Sequence, residues 1–92
     1  TWNLKMTLQM LKDSGIQIVS CTEKTNNKIY SVNYQIPTAI ILGSEENGIS
    51  NEFLKLSDEK VKIPILGNIE SLNVSVACGV ILYEIVRQRL SL

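Results

Sequence analysis

Histidine is absent from this sequence, and cysteine is limited to Cys21 and Cys78. Two thiols without an imidazole suggest neither a zinc site nor a disulfide framework, so both are expected to be ordinary reduced cysteines, with no metal partner. No stretch approaches the roughly 20 uninterrupted apolar residues of a membrane span. The start, Thr1-Trp2-Asn3-Leu4-Lys5, lacks a basic-then-apolar signal pattern. A cytoplasmic protein with no membrane partner is the expectation. An excess of either charge is also missing: nine basic and nine acidic side chains give a formal net charge of zero. Freestanding nucleic-acid-binding domains usually carry a basic excess, so most phosphate contacts to any RNA should come from elsewhere. Repeats and low-complexity tracts are absent. What remains is 92 residues with 45% hydrophobic and 20% charged content, ordinary for one folded domain or a piece of one. The lack of an initial methionine is what a segment of a longer chain would show.

The apolar pattern alternates between helix and strand. Leu4, Leu8 and Leu11 recur at helical spacing before Gly15, which predicts a helix over residues 3–14. Ile16 to Ser20 reads as a short strand, and the polar run Thr22 to Lys28 as a surface loop. Thr38 to Leu42 is the compact apolar run of a strand covered on both faces of a parallel sheet. A short helix is expected from Ser50, with Ser50 as N-cap and Glu52 in its first turn, followed by a strand at Val61 to Ile63. Ser71 to Arg89 is apolar on nearly every side, which predicts a helix buried on nearly every side. Ala77, Cys78 and Gly79 form a small-residue patch on it, suited to close packing within the chain or across a dimer. The fold class is therefore α/β, a mostly parallel sheet with flanking helices.

In open sheets of this kind ligands bind at the C-terminal strand ends, and two segments fit that position. Gly43 to Ser50 follows a buried strand and precedes a helix; its glycines permit tight turns and close backbone approach to a ligand, though a plain strand-to-helix turn has the same composition. It lacks the Gly-Lys-Ser/Thr ending of a P-loop and the G-x-G-x-x-G dinucleotide fingerprint. The second segment places Ser71 and Asn73 at the mouth of an apolar helix. Ser71 could simply be an N-cap with Asn73 in the first turn, or both could face a ligand beside free helix-terminal N–H groups.

Leu42-Gly43-Ser44-Glu45, together with Ile63-Pro64 and Ser71-Leu72-Asn73-Val74-Ser75-Val76-Ala77, resembles the second and third signature motifs of the SpoU (TrmH-like) class of SPOUT RNA 2′-O-ribose methyltransferases. Order and spacing both match, and the likeness runs over most of the chain. It implies that residues 1–92 are the C-terminal portion of such a methyltransferase domain, with a deep trefoil knot. It further implies S-adenosylmethionine as cofactor, structured RNA (tRNA or rRNA) as substrate, and a homodimer. By the same resemblance Gly43, Ile63 and Leu72 are the cofactor-binding positions, read largely through backbone groups. Rigid N–H and C=O groups match the adenine edge without side-chain entropy. Glu45, Ser71 and Asn73 are the implied catalytic side chains, which would align oxygen, carbon and sulfur and assist removal of the hydroxyl proton.

The family's first motif, with its asparagine and arginine, has no counterpart in Thr1 to Lys28. Arg87 and Arg89 lie at the far end of the last helix, where a solvated helix terminus explains them. Residues 1–92 alone are therefore expected to be inactive even if they bind the donor. A degenerate knot that docks RNA or protein without catalysis is the alternative, and an unrelated nucleotide-binding α/β protein is the third reading.

Overall fold

The structure, a computed structural model, describes residues 3–43, 48–65 and 73–90. Its elements run α1 (Leu4–Asp13), β1 (Gln17–Cys21), a 3-10 turn (Ile29–Ser31), β2 (Thr38–Leu42), α2 (Asn51–Leu56), β3 (Glu59–Val61) and α3 (Val74–Arg89). Asn3 starts α1, its Oδ1 accepting from Lys5 N–H at 2.9 Å and Met6 N–H at 3.4 Å. Gly15, at φ +86°, ends it. There the Ile16 N–H reaches Leu11 O and the Gly15 N–H reaches Lys12 O, each at 3.0 Å. This paired return of the chain satisfies the last carbonyls and launches β1 directly.

The three strands are all parallel, in the order β2-β1-β3. Central β1 is the most buried, with Ile18, Val19 and Ser20 fully inaccessible. Alternation sends Val19 to one face and Ile18 and Ser20 to the other. The Val19 face carries the main core, where Ile29, Val32, Tyr34 and Val61 pack with Ile81 and Ile85 of α3. On the opposite face lie α1 and α2, which contribute buried Leu8 and Leu54. There the Ser20 hydroxyl bonds that of Ser57, and Ser57 Oγ donates to Phe53 O at 2.9 Å.

Three sequence expectations need adjustment. Strand β3 spans Glu59–Val61, not Val61 to Ile63. Its ladder with β1 begins at Val19↔Glu59 and ends at Cys21↔Val61, after which Lys62 pairs with Lys28 instead. Strand β2 falls where expected, but all five residues are only half-buried within this chain. Helix α3 begins at Val74 and covers one stripe only, through Ala77, Ile81, Glu84 and Ile85. Val76 and Tyr83 remain 53% and 71% exposed, because a three-stranded sheet offers the helix a single face. A Cβ added to Gly79 would meet nothing within 4 Å among the described residues, so within this chain they show no close approach to the small-residue patch there.

The end of α3 is latched to the segment leading into β2. Gln88 accepts from the Tyr34 N–H at 2.8 Å and donates to Val32 O at 2.9 Å. Arg89 Nε donates to Tyr34 O at 3.0 Å and Nη2 to Ile36 O at 3.3 Å.

Candidate functional site

The register fixes where the three strands end. Cys21, the last residue of β1, pairs with Leu42 of β2 and with Val61 of β3. Gly43 therefore follows one outer strand and Ile63 lies two residues past the other. Both follow the outer strands at one C-terminal edge, and those strands, each next to β1, lie roughly 10 Å apart. Cys21 stands between them, its thiol pushed up in pKa by burial.

Gly43 is needed for a reason internal to its loop. A Cβ there would lie 2.7 Å from both Gly48 Cα and Ile49 N, and nearer still to the Gly48 carbonyl carbon. The close backbone approach is thus to the loop's own far end. Gly48 completes the pinch at φ +65°, a left-handed conformation that favours glycine. Gly48 is one of the two glycines read from sequence as permitting a tight turn here, and the Asn47-Gly48 dipeptide is itself a turn signal. Beyond the loop, the Ser50 hydroxyl caps α2 by accepting from the Phe53 N–H at 3.5 Å.

At Ile63 the ladder has ended. The last bonds of the region are Lys62 N–H to Asn27 O at 2.8 Å and Ile29 N–H to Lys62 O at 3.0 Å. The N–H and C=O of Ile63 make no backbone hydrogen bond among the described residues, while its side chain packs on the core. Ile63 is half-buried and, among the described residues, leaves one backbone donor and one acceptor open.

Asn73 is the N-cap of α3. Its Oδ1 accepts from the Ser75 N–H at 2.8 Å, which replaces the reading of Ser71 as cap with Asn73 inside the first turn. The cap fixes the orientation of the Asn73 amide at the helix mouth. Glu45, Ser71 and Leu72 lie outside the described residues. Gly43 and Ile63 are thus brought to one edge, and Asn73 is placed at a helix start.

Both arginines of the chain are engaged away from this edge. Glu84, 5% exposed, accepts from Arg87 Nε at 2.8 Å and Nη2 at 2.9 Å, and from Gln88 Nε2 at 2.8 Å. The Arg87 hydrogen bonds, against the opposing effect of burial, hold the Glu84 carboxyl below its ordinary pKa. Tyr34, buried nearby, is pushed up to about 12 by desolvation and then by the Glu84 charge. Among the described residues no cluster of potential metal ligands occurs, and no helix is long and apolar enough to cross a membrane.

The model of the SpoU rRNA Methylase family matches residues 1–83. The chain belongs to that family. A tRNA (guanosine(18)-2'-O)-methyltransferase of Thermus thermophilus is 42% identical over 89 residues, 96% of this chain and 46% of that protein. A 23S rRNA (guanosine-2'-O-)-methyltransferase of Vibrio parahaemolyticus is 39% identical, over 97% of this chain and 36% of that protein. Among solved structures, the SpoU methyltransferase AviRb from Streptomyces viridochromogenes, in complex with the cofactor AdoMet, aligns with a TM-score of 0.82 at 33% identity. That alignment covers 96% of this chain and 36% of AviRb. The chain therefore spans less than half of each relative, and it has the SpoU fold over the part that it spans.

Proposed function

We propose that this chain is the donor-binding C-terminal part of an S-adenosylmethionine-dependent enzyme that methylates ribose 2′-hydroxyls in structured RNA, tRNA or rRNA. The observation that carries the reading is the shared C-terminal edge, where Ile63 offers main-chain groups with no backbone hydrogen bond among the described residues and Gly43 closes against Gly48. The names of the relatives supply the chemistry, ribose 2′-O-methylation of RNA, and AviRb supplies a neighbour with the donor bound.

In this reading Ile63, Gly43 and Leu72 hold the adenosine part of the donor. When bound, S-adenosylmethionine supplies an electrophilic methyl group on a sulfonium. Asn73, fixed by its cap, positions the reacting groups together with Ser71 and Glu45. Removal of the ribose hydroxyl proton needs a further group, since Arg87 is held by Glu84 and Arg89 by backbone carbonyls. An upstream arginine motif in the whole protein would provide it, and residues 1–92 alone would then turn over no RNA.

The trefoil knot, a cytoplasmic location and a homodimer belong to the same proposal. The dimer is supported by α3, whose Val76, Leu82, Tyr83 and Val86 are 45 to 71% exposed beside the open Gly79. A contiguous apolar stripe of this kind marks an interaction surface. Titration of the full-length protein with S-adenosylmethionine by calorimetry, with ATP as control, tests the reading. Binding of the donor and not ATP is expected; ATP binding without donor binding would contradict it.

A further inference from the structure

Zero net charge conceals an uneven distribution of charge. Among the described residues, Glu52 is paired with Lys5 at 3.1 Å, Asp58 with Lys12 at 3.6 Å and Glu84 with Arg87 at 2.8 Å. Lys28, Lys60 and Lys62 take part in no ion pair there. Their positions are set by the backbone. Period-two alternation along β3 places Lys60 and Lys62 on one face, with Glu59 and buried Val61 on the other. Lys28 is the parallel bridge partner of Lys62, so its side chain leaves on the same face as that of Lys62. Three ammonium groups therefore share one border of the sheet, and that border runs straight into Ile63.

Like charges opposite one another across a ladder destabilise it, yet here the backbone holds them together firmly. The Thr22 N–H donates to Val61 O at 2.8 Å, the Lys62 N–H to Asn27 O at 2.8 Å and the Ile29 N–H to Lys62 O at 3.0 Å. Within the loop, the Lys24 and Asn27 N–H groups are held by Thr22 and Thr25 hydroxyls, each at 3.2 Å. The loop's own acid, Glu23, forms no ion pair with these lysines. The run read from sequence as a surface loop is one, and these bonds tie it to the border of β3. A pre-ordered row of unpaired cations suits a partner that carries closely spaced negative charges and gains by displacing its counterions.

We infer that Lys28, Lys60 and Lys62 form an edge that contacts the phosphate backbone of the substrate RNA beside the donor site. This inference rests on the RNA-methylation reading above. It is compatible with most phosphate contacts coming from elsewhere, since three lysines supply only a local share. The contacts carry no base information and fix the register of the RNA instead.

The test uses the full-length protein and its Lys28→Gln/Lys62→Gln variant. RNA affinity is measured over a salt series, with an unmodified tRNA transcript in one arm and an unmodified 23S rRNA fragment in the other, and donor affinity alongside. A phosphate-contacting lysine contributes about one to the slope of log K against log salt. The slope should fall by about two on the RNA that is the substrate, with donor affinity unchanged, and Lys28→Arg/Lys62→Arg should keep the wild-type slope. A glutamine variant that binds and methylates RNA with the wild-type slope would overturn the inference and leave the methylation reading standing. Loss of slope in the arginine variant as well would show a structural role and overturn it too. A wild-type protein that neither binds RNA nor transfers methyl would fail the reading beneath it.

Discussion

Gly43 and Asn73 can each be asked what a single atom does. Gly43→Ala places a methyl within 2.7 Å of Gly48 Cα and Ile49 N, so the loop must open or the strand end must shift. Overpacking of this kind typically costs about 1–3 kcal/mol. Urea unfolding of the full-length protein should show that loss, and calorimetry should show weaker donor binding. An unchanged donor affinity would mean that the pinch serves folding alone. For Asn73, removing the cap by Asn73→Ala should cost about 1 kcal/mol, whereas Asn73→Asp retains a cap acceptor and should keep stability. If the Asn73 amide positions substrate, methyl transfer falls in both variants. Full activity in the aspartate variant would reduce Asn73 to a helix cap. At this scale Gly43 and Asn73 were picked out by the motif resemblance, while the local reading of Asn73 as a first-turn residue gave way to the N-cap, because a Ser and an Asn two residues apart can each cap a helix. Sequence allowed a tight turn at both loop glycines but not their pinch against each other, because that depends on where Ile49 returns.

Helix α3 shows how one element can be read correctly in kind and wrongly in surroundings. Its continuous apolar run identified the helix and its end at Arg89, but burial all round would need walls that the three described strands do not supply. Strand β3 starts two residues earlier than read, at Glu59, and its ladder with β1 ends at Val61; Lys62 directs its N–H and C=O to the opposite edge, where Lys28 pairs with it, and that tertiary pairing is not visible in the local pattern. The buried carboxyl of Glu84, inside an apolar run, is explained only by Arg87 and Gln88 one turn later. Its pH dependence follows. The folded state holds the Glu84 pKa below the ordinary value, so the unfolded state binds the proton more readily. The stabilisation is complete above the unfolded pKa of about 4.3 and is lost as pH falls through the lower folded value. Urea midpoints measured between about pH 7 and pH 3 should fall more steeply for wild type than for Glu84→Gln. Parallel curves would remove Glu84 from the acid response.

For the whole molecule, the exposed stripe on α3 and the half-buried strand β2 both call for covering surfaces beyond those described here. If a second copy covers α3, Tyr83→Asp should convert a dimer of the full-length protein into a monomer in sedimentation, while leaving its own core intact. A wild-type monomer at micromolar concentration would contradict the dimer. Ribose methylation leaves a chemical signature that one product analysis reads. The full-length protein is incubated with methyl-labelled S-adenosylmethionine and unmodified tRNA or rRNA, and the RNA is then hydrolysed in alkali. A 2′-O-methyl group blocks cleavage at its own phosphodiester, so the account predicts label in an alkali-resistant dinucleotide. Label recovered only in alkali-released mononucleotides, or no transfer to either RNA, would contradict it.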